Sequence, residues 1–176
     1  MSGELVFVDE TKARDYLVVA VAIATSDIRA ARSVIRQLTL PGQPRLHMKK
    51  ENESRKRQIL DGIVRLQPSV TVYRGDALLR TDLARRERCL RALVADCVRD
   101  QRGALLLERD ETIVSRDRQW LIEASRDAGA PGFSYRHESA SSEPLLAIPD
   151  ALAWAWARGG DWRRRCTGLI TGIVDA

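Results

Sequence analysis

Two apolar segments separated by a short polar stretch, Leu5-Val6-Phe7-Val8 and Tyr16-Leu17-Val18-Val19-Ala20-Val21-Ala22-Ile23-Ala24, constrain this chain more than any other feature. The first reads as a buried strand. The polar residues Thr11 to Asp15 form the turn, and the β-branched content of the second run makes it the antiparallel partner, so the chain opens with a β-hairpin. Such a hairpin needs a core around it. With 176 residues, 44% of them hydrophobic, the chain suffices for one domain over residues 1–176, with helices around a sheet.

Beyond the hairpin, Ser26 or Asp27 can cap a helix whose apolar stripe is Ile28, Ala31, Val34, Ile35 and Leu38, and Pro41-Gly42-Gln43-Pro44 breaks it. Leu46 to Glu51 reads either as a brief strand or as the start of the following helix, which runs from about Ser54 to Leu66. Val70 to Tyr73 reads as a strand, and Leu83 to Val98 as a helix with Leu90, Leu93, Val94 and Cys97 on one face. Ala104 to Leu107 reads as a central strand that releases Glu108-Arg109-Asp110 at its C-terminal end, the edge where ligands gather in α/β folds. Arg116 to Ala128 is a predicted helix, Phe133 to Arg136 a strand, and Asp150 to Arg158 a helix stopped by Gly159-Gly160. The alternation after residue 50 implies crossovers on a mixed sheet flanked by helices, an α/β class.

Lys and Arg outnumber Asp and Glu by 29 to 24, a net charge of +5, which favours a polyanionic partner modestly because positive charge also serves solubility. The local clusters Arg85-Arg86, Arg88, Arg91 and Arg163-Arg164-Arg165 carry more information than the sum. Cys89, Cys97 and Cys166 form no paired framework and, with only His47 and His137 as histidines, no zinc-binding pattern. A reducing cytoplasmic setting is expected, with no leader segment and no membrane span, since Tyr16 to Ala24 is too short to cross a bilayer.

Acids dominate the candidate chemistry. Asp9 ends the first predicted strand, Glu108 follows the central one and Asp150 starts a late helix; if those strands are neighbours, the three side chains meet over one sheet edge. Hydrolysis of a phosphodiester needs such a concentration of negative charge to hold one or two Mg2+ or Mn2+ ions, without a histidine base or nucleophilic serine. Each acid also has an ordinary reading: Asp9 as a turn residue, Asp150 as a helix cap, Asp117 as a solvated turn acid. Asp110 shares Glu108's side in an extended segment, so either ligates while the other orients it, and Asp117 completes the reserve. Glu10 points away from Asp9 if both stay in the strand.

His47, Lys49 and Glu51 fall on one side of an extended segment, where His47 could shuttle a proton and Lys49 clamp a phosphate; a solvated surface histidine is the other reading. His137 offers less and is not assigned to the centre. Trp154 and Trp156, two positions apart, diverge by about 200° on a helix and so serve different surfaces. Trp162 followed by three arginines combines a stacking plane with phosphate-binding guanidiniums, although a core-anchoring Trp beside a solvated charge run accounts for it too.

Phe7-Val8-Asp9-Glu10 with its long second strand, Leu46-His47 with a charged helix start, Leu105-Leu106-Leu107-Glu108-Arg109-Asp110 with Asp117, and Ile148-Pro149-Asp150-Ala151-Leu152-Ala153-Trp154 together resemble a bacterial and phage family named as domain of unknown function 3800 (DUF3800), whose members have a ribonuclease-H-like fold. The motifs are short, and their order and spacing over almost the whole chain carry the likeness. It implies an acidic metal centre at Asp9, Asp150 and one or more of Glu108, Asp110 and Asp117, binding Mg2+ or Mn2+, with RNA or DNA as substrate class. Thr11-Lys12 departs from the Ser-Gly that usually follows the family's opening acids, and Glu51 and Glu53 precede a segment less regular than the glutamate-bearing helix of classical ribonucleases H. The expectation is therefore a nuclease, with a catalytically inactive nucleic-acid-binding protein, or a homodimeric interaction module built on Trp154 to Trp162, as alternatives.

Overall fold

A computed structural model describes residues 3–176. Its strands are β1 (Glu4–Thr11), β2 (Leu17–Ala24), β3 (Ser69–Arg74), β4 (Ala104–Glu108), β5 (Ser134–Glu138) and β6 (Ile170–Asp175). They form one six-stranded mixed sheet in the order β5-β4-β1-β2-β3-β6. Neighbours β1 and β2, and β2 and β3, are antiparallel, whereas β4 runs parallel to β1, β5 to β4 and β6 to β3. The helices are α1 (Ile28–Leu38), α2 (Glu53–Leu66), α3 (Asp82–Arg99), α4 (Val114–Asp127), α5 (Ala147–Arg158) and α6 (Gly160–Cys166).

The two-residue period of the strands sorts their side chains into two cores. Phe7, Val19, Val21, Val72 and Leu106 face a core covered by α1, α2, α5 and α6. Val6, Val8, Val18, Tyr73, Leu105 and Leu107 face the other, covered by α3 and α4. Burial of β2 on both faces explains its uninterrupted apolar run.

The hairpin and the mixed sheet agree with the sequence reading, but several boundaries move. Strand β1 continues to Thr11, so Asp9 is a strand residue and not a turn acid. The segment around His47 is neither strand nor helix start: it is a 3-10 turn over Met48–Lys50, with a true helix beginning at Glu53. Helix α5 starts at Ala147, so Asp150 lies inside its first turn and not at its cap. Gly159 and Gly160, with φ of 75° and 56°, permit the left-handed step that ends α5, and α6 resumes at once. Neither α6 nor the edge strand β6 was expected from the sequence.

Asn52 caps α2, its Oδ1 accepting the Arg55 N–H at 2.9 Å. Asn52→Ala is expected to lower stability by about 1 kcal/mol, read as a shifted urea midpoint with unchanged slope. Among the described residues no helix is long and apolar enough to cross a membrane.

Candidate carboxylate centre

Periodicity decides which acids meet. On β1, Phe7 faces the α5 core, so Asp9 faces it as well while Glu10 faces α3. On β4, Leu106 faces the α5 core, so Glu108 does too. The two strands are adjacent and parallel with Val8 beside Leu107, which sets Asp9 and Glu108 next to one another at the C-terminal edge. Helix α5 packs across β1 and brings Asp150 to the same place.

The electrostatics report that convergence. Burial pushes the Asp9 carboxyl well above the usual carboxylate range, and the charges of Asp150 and Glu108 push it further, against the pull of Arg45 and Arg86. Burial also raises Asp150, although the Met48 N–H donates to its Oδ2 at 2.9 Å and His47 and Arg45 draw it down.

Leu46 and Met48, almost fully buried, anchor the segment before α2 into the α5 core. Arg45 and His47 alternate with them and are held at the acids. Arg45 forms an ion pair with Glu108 through Nη1, while its Nε is buried without a hydrogen-bond partner. The His47 Nδ1 is likewise buried and unpartnered beside Asp150. Lys49 does not share their side: the 3-10 turn leaves it exposed and buries Glu51, which accepts from Gln43 and Arg55. The expected common face of His47, Lys49 and Glu51 fails because it presumed an extended backbone.

Asp110 lies at the exposed rim. Its Oδ1 accepts the Thr112 hydroxyl at 2.6 Å and the Thr112 N–H at 2.9 Å, and these bonds hold it below the usual carboxylate range. A cleft of about 380 Å³ opens here, lined by Asp9, Glu10, Arg86, Glu108, Arg109 and Asp110 among others.

Asp117 is on the other side of the sheet. It is fully buried on α4, where Arg86 Nε and Nη2 donate to its two oxygens at 2.8 Å each and His137 Nε2 lies 3.2 Å from Oδ2. Burial alone would raise its pKa, but the hydrogen bonds from Arg86 and His137 outweigh that and hold it low. Arg86 also pairs with Glu10, which accepts from the Tyr16 hydroxyl at 3.0 Å. Both oxygens of Asp117 are therefore engaged in a buried network away from Asp9 and Asp150, so Asp117 is not a solvated turn acid.

Arg45 and Arg86 were not singled out for these places. Alternation around Leu46 offers a signal for Arg45; Arg86 belongs to a local basic cluster in the sequence, and nothing there distinguishes it from its neighbours. Other members of those clusters are engaged as well: Arg91 pairs with Glu87, Glu123 and Asp127, and Arg165 with Asp161 and Asp61. Trp162 packs edge-on against Trp154 at 5.0 Å between ring centroids, with Arg57 over it, and Arg163 lies over Trp156. Those rings are thus occupied by the chain's own helices and cations.

Three carboxylates with charges crowded onto one another suit a hard divalent cation by donor chemistry, and the orphaned His47 nitrogen adds an unsatisfied polar atom at the same place. As they stand, among the described residues, no three His, Cys, Asp or Glu side chains are set closely enough to hold an ion, and Arg45 is paired with one of the three.

No family model matches this sequence, and no curated protein sequence matches it. Among solved structures, the fold is similar to that of RNase HII from Archaeoglobus fulgidus, determined in complex with PCNA, with a TM-score of 0.59 and 15% sequence identity over 94% of this chain and 76% of that one. The mixed six-stranded sheet with flanking helices is thus a ribonuclease-H-like α/β fold. The DUF3800 likeness remains one of motifs.

Proposed function

We propose that this protein is a divalent-metal-dependent nuclease that hydrolyses phosphodiester bonds in RNA or DNA at Asp9, Glu108 and Asp150. One observation carries the reading: three acids far apart in sequence are delivered from β1, β4 and α5 to one edge of a ribonuclease-H-like sheet, where their charges act on one another. Such crowding raises two of the acids at a cost to the fold, and ligand or catalytic centres are where that arrangement is retained.

Asp9, Glu108 and Asp150 would hold Mg2+ or Mn2+, with Asp110 on the open rim as the fourth carboxylate. The bound ion supplies activation of water and neutralisation of developing phosphate charge. The remaining work falls to the chain. The half-buried His47 imidazole, with its Nδ1 enclosed beside Asp150, holds or moves a proton through that nitrogen. Lys49, exposed on the same turn, offers its ammonium to the polynucleotide backbone, and Arg109 lines the cleft. Glu10, Arg86 and Asp117 fix the back of the cleft from the other face of the sheet.

The test is hydrolysis of a labelled panel of single-stranded, duplex and hybrid RNA and DNA, with Mg2+ or Mn2+ against EDTA. Metal-dependent products are expected, and turnover should rise with pH as Asp9 and Asp150 ionise above the usual carboxylate range. A second reading, polynucleotide binding without turnover, is favoured by the Arg45–Glu108 ion pair within the centre. Salt-sensitive binding with no product under any metal would select it and overturn the nuclease reading.

A further inference from the structure

We propose that the Arg45 guanidinium is the resident cation of the carboxylate centre and competes with divalent ions for Glu108, so that removing it tightens divalent-ion binding. The inference rests on the metal-dependent reading above and deepens it by naming what regulates the site.

Two arginine pairs flanking the cleft, Arg86–Asp117 and Arg45–Glu108, differ in how completely they are satisfied. Arg86 meets Asp117 with two parallel hydrogen bonds of 2.8 Å and spends a further nitrogen on Glu10, a locked arrangement in which Asp117 has no exposed surface. Arg45 meets Glu108 through one nitrogen, its Nε is buried without a partner, and the two side chains are 23% and 31% exposed. A guanidinium held by charge with a donor unspent is poised to exchange, whereas one whose donors are all used is not.

Position supports the same conclusion. Arg45 follows Pro44 in the loop between α1 and α2, and buried Leu46 beside it fixes where the side chain starts. From there its charge acts on Asp9 and Asp150 as well as on Glu108, so one monovalent group stands among all three acids. A divalent ion coordinated by the same oxygens brings two charges to that place and repels the guanidinium from it. Displaced Arg45, still anchored by Leu46, then presents its nitrogens at the mouth of the centre, where a phosphate oxygen is the complementary partner.

Mn2+ titration of the full chain by calorimetry, or by the loss of the free-ion electron paramagnetic resonance signal, tests this without reference to turnover. Arg45→Gln is expected to bind Mn2+ at least about tenfold more tightly than the wild type, because a positive charge in contact with the ligands has been removed. Arg45→Lys, which keeps the charge, should stay within about threefold of the wild type, and Arg109→Gln, which removes an arginine from the rim, within about twofold. In EDTA the thermal midpoint of Arg45→Gln should fall, since three acids then face one another with less compensating charge, and Mn2+ should restore it by more than it raises the wild type. Arg45→Met is the second charge-removing variant should Arg45→Gln fail to fold, with the same expected affinity. Equal Mn2+ affinity in the wild type and the charge-removing variants overturns the role of Arg45 alone. Equal tightening in Arg109→Gln does the same, because it traces the effect to overall charge. Absence of Mn2+ binding in every variant overturns the metal-dependent reading together with it.

Discussion

Asp9→Asn is expected to lower metal-dependent hydrolysis by about a thousandfold, since a metal ion's stabilisation of the transition state is worth several kcal/mol and each 1.4 kcal/mol is a factor of ten. The same substitution should leave the fold at least as stable in the absence of metal. Burial and the charges of Asp150 and Glu108 raise the Asp9 carboxyl well above its usual value, so the folded chain holds this proton at pH values where the unfolded chain has lost it. Stability from this group is therefore greatest at low pH and declines as pH rises from the unfolded pKa through the folded one. Asparagine cannot ionise, and the decline attributable to residue 9 should disappear. Urea unfolding between pH 4 and 8, run beside the hydrolysis assay, reads both quantities. Loss of turnover accompanied by gain of stability marks an acid kept for chemistry at the expense of the fold. Unchanged turnover would remove Asp9 from the centre.

Arg86→Met is expected to cost about 3–5 kcal/mol, the usual penalty for removing one partner of a buried ion pair. Asp117 would be left fully buried with only His137 beside it, and Glu10 would keep only Lys12, 3.5 Å away. The double substitution Arg86→Met with Asp117→Leu should recover most of that loss, because the cost lies in the uncompensated charge and not in the pair itself. The pH dependence has the opposite sign to that of Asp9. Asp117 is held below its usual value, so its contribution is fully present above the unfolded pKa and is lost as pH falls through the folded one. Acid unfolding of the wild type should carry this component and Asp117→Asn should lack it. A loss below about 1 kcal/mol in Arg86→Met would place the pair with ordinary surface bridges.

Local pattern was sufficient wherever a residue's fate depends on its immediate neighbours. The hairpin follows from two apolar runs and a polar turn, and the divergence of Asp9 and Glu10 follows from strand alternation alone. The stripe of α3 announced its buried face correctly. Strand β6 was missed because its parallel partner lies about a hundred residues earlier, as in the 2.7 Å Arg74–Asp175 bridge, and a short segment with Gly172 at its centre carries little signal of its own.

What the sequence by itself determined is a set of strand and helix faces and a short roster of acids at their ends. Only the tertiary structure decided that Glu108 stands beside Asp9 while Asp110 stays on the rim, that Asp117 is sealed behind the sheet with Arg86 and His137, and that Arg45 enters the acid cluster. The physical reason is one of range. Side-chain direction repeats along a strand or helix and can be counted from neighbours, whereas which charges meet depends on how whole elements pack, and Arg45 and Glu108 come together across two intervening helices and a strand.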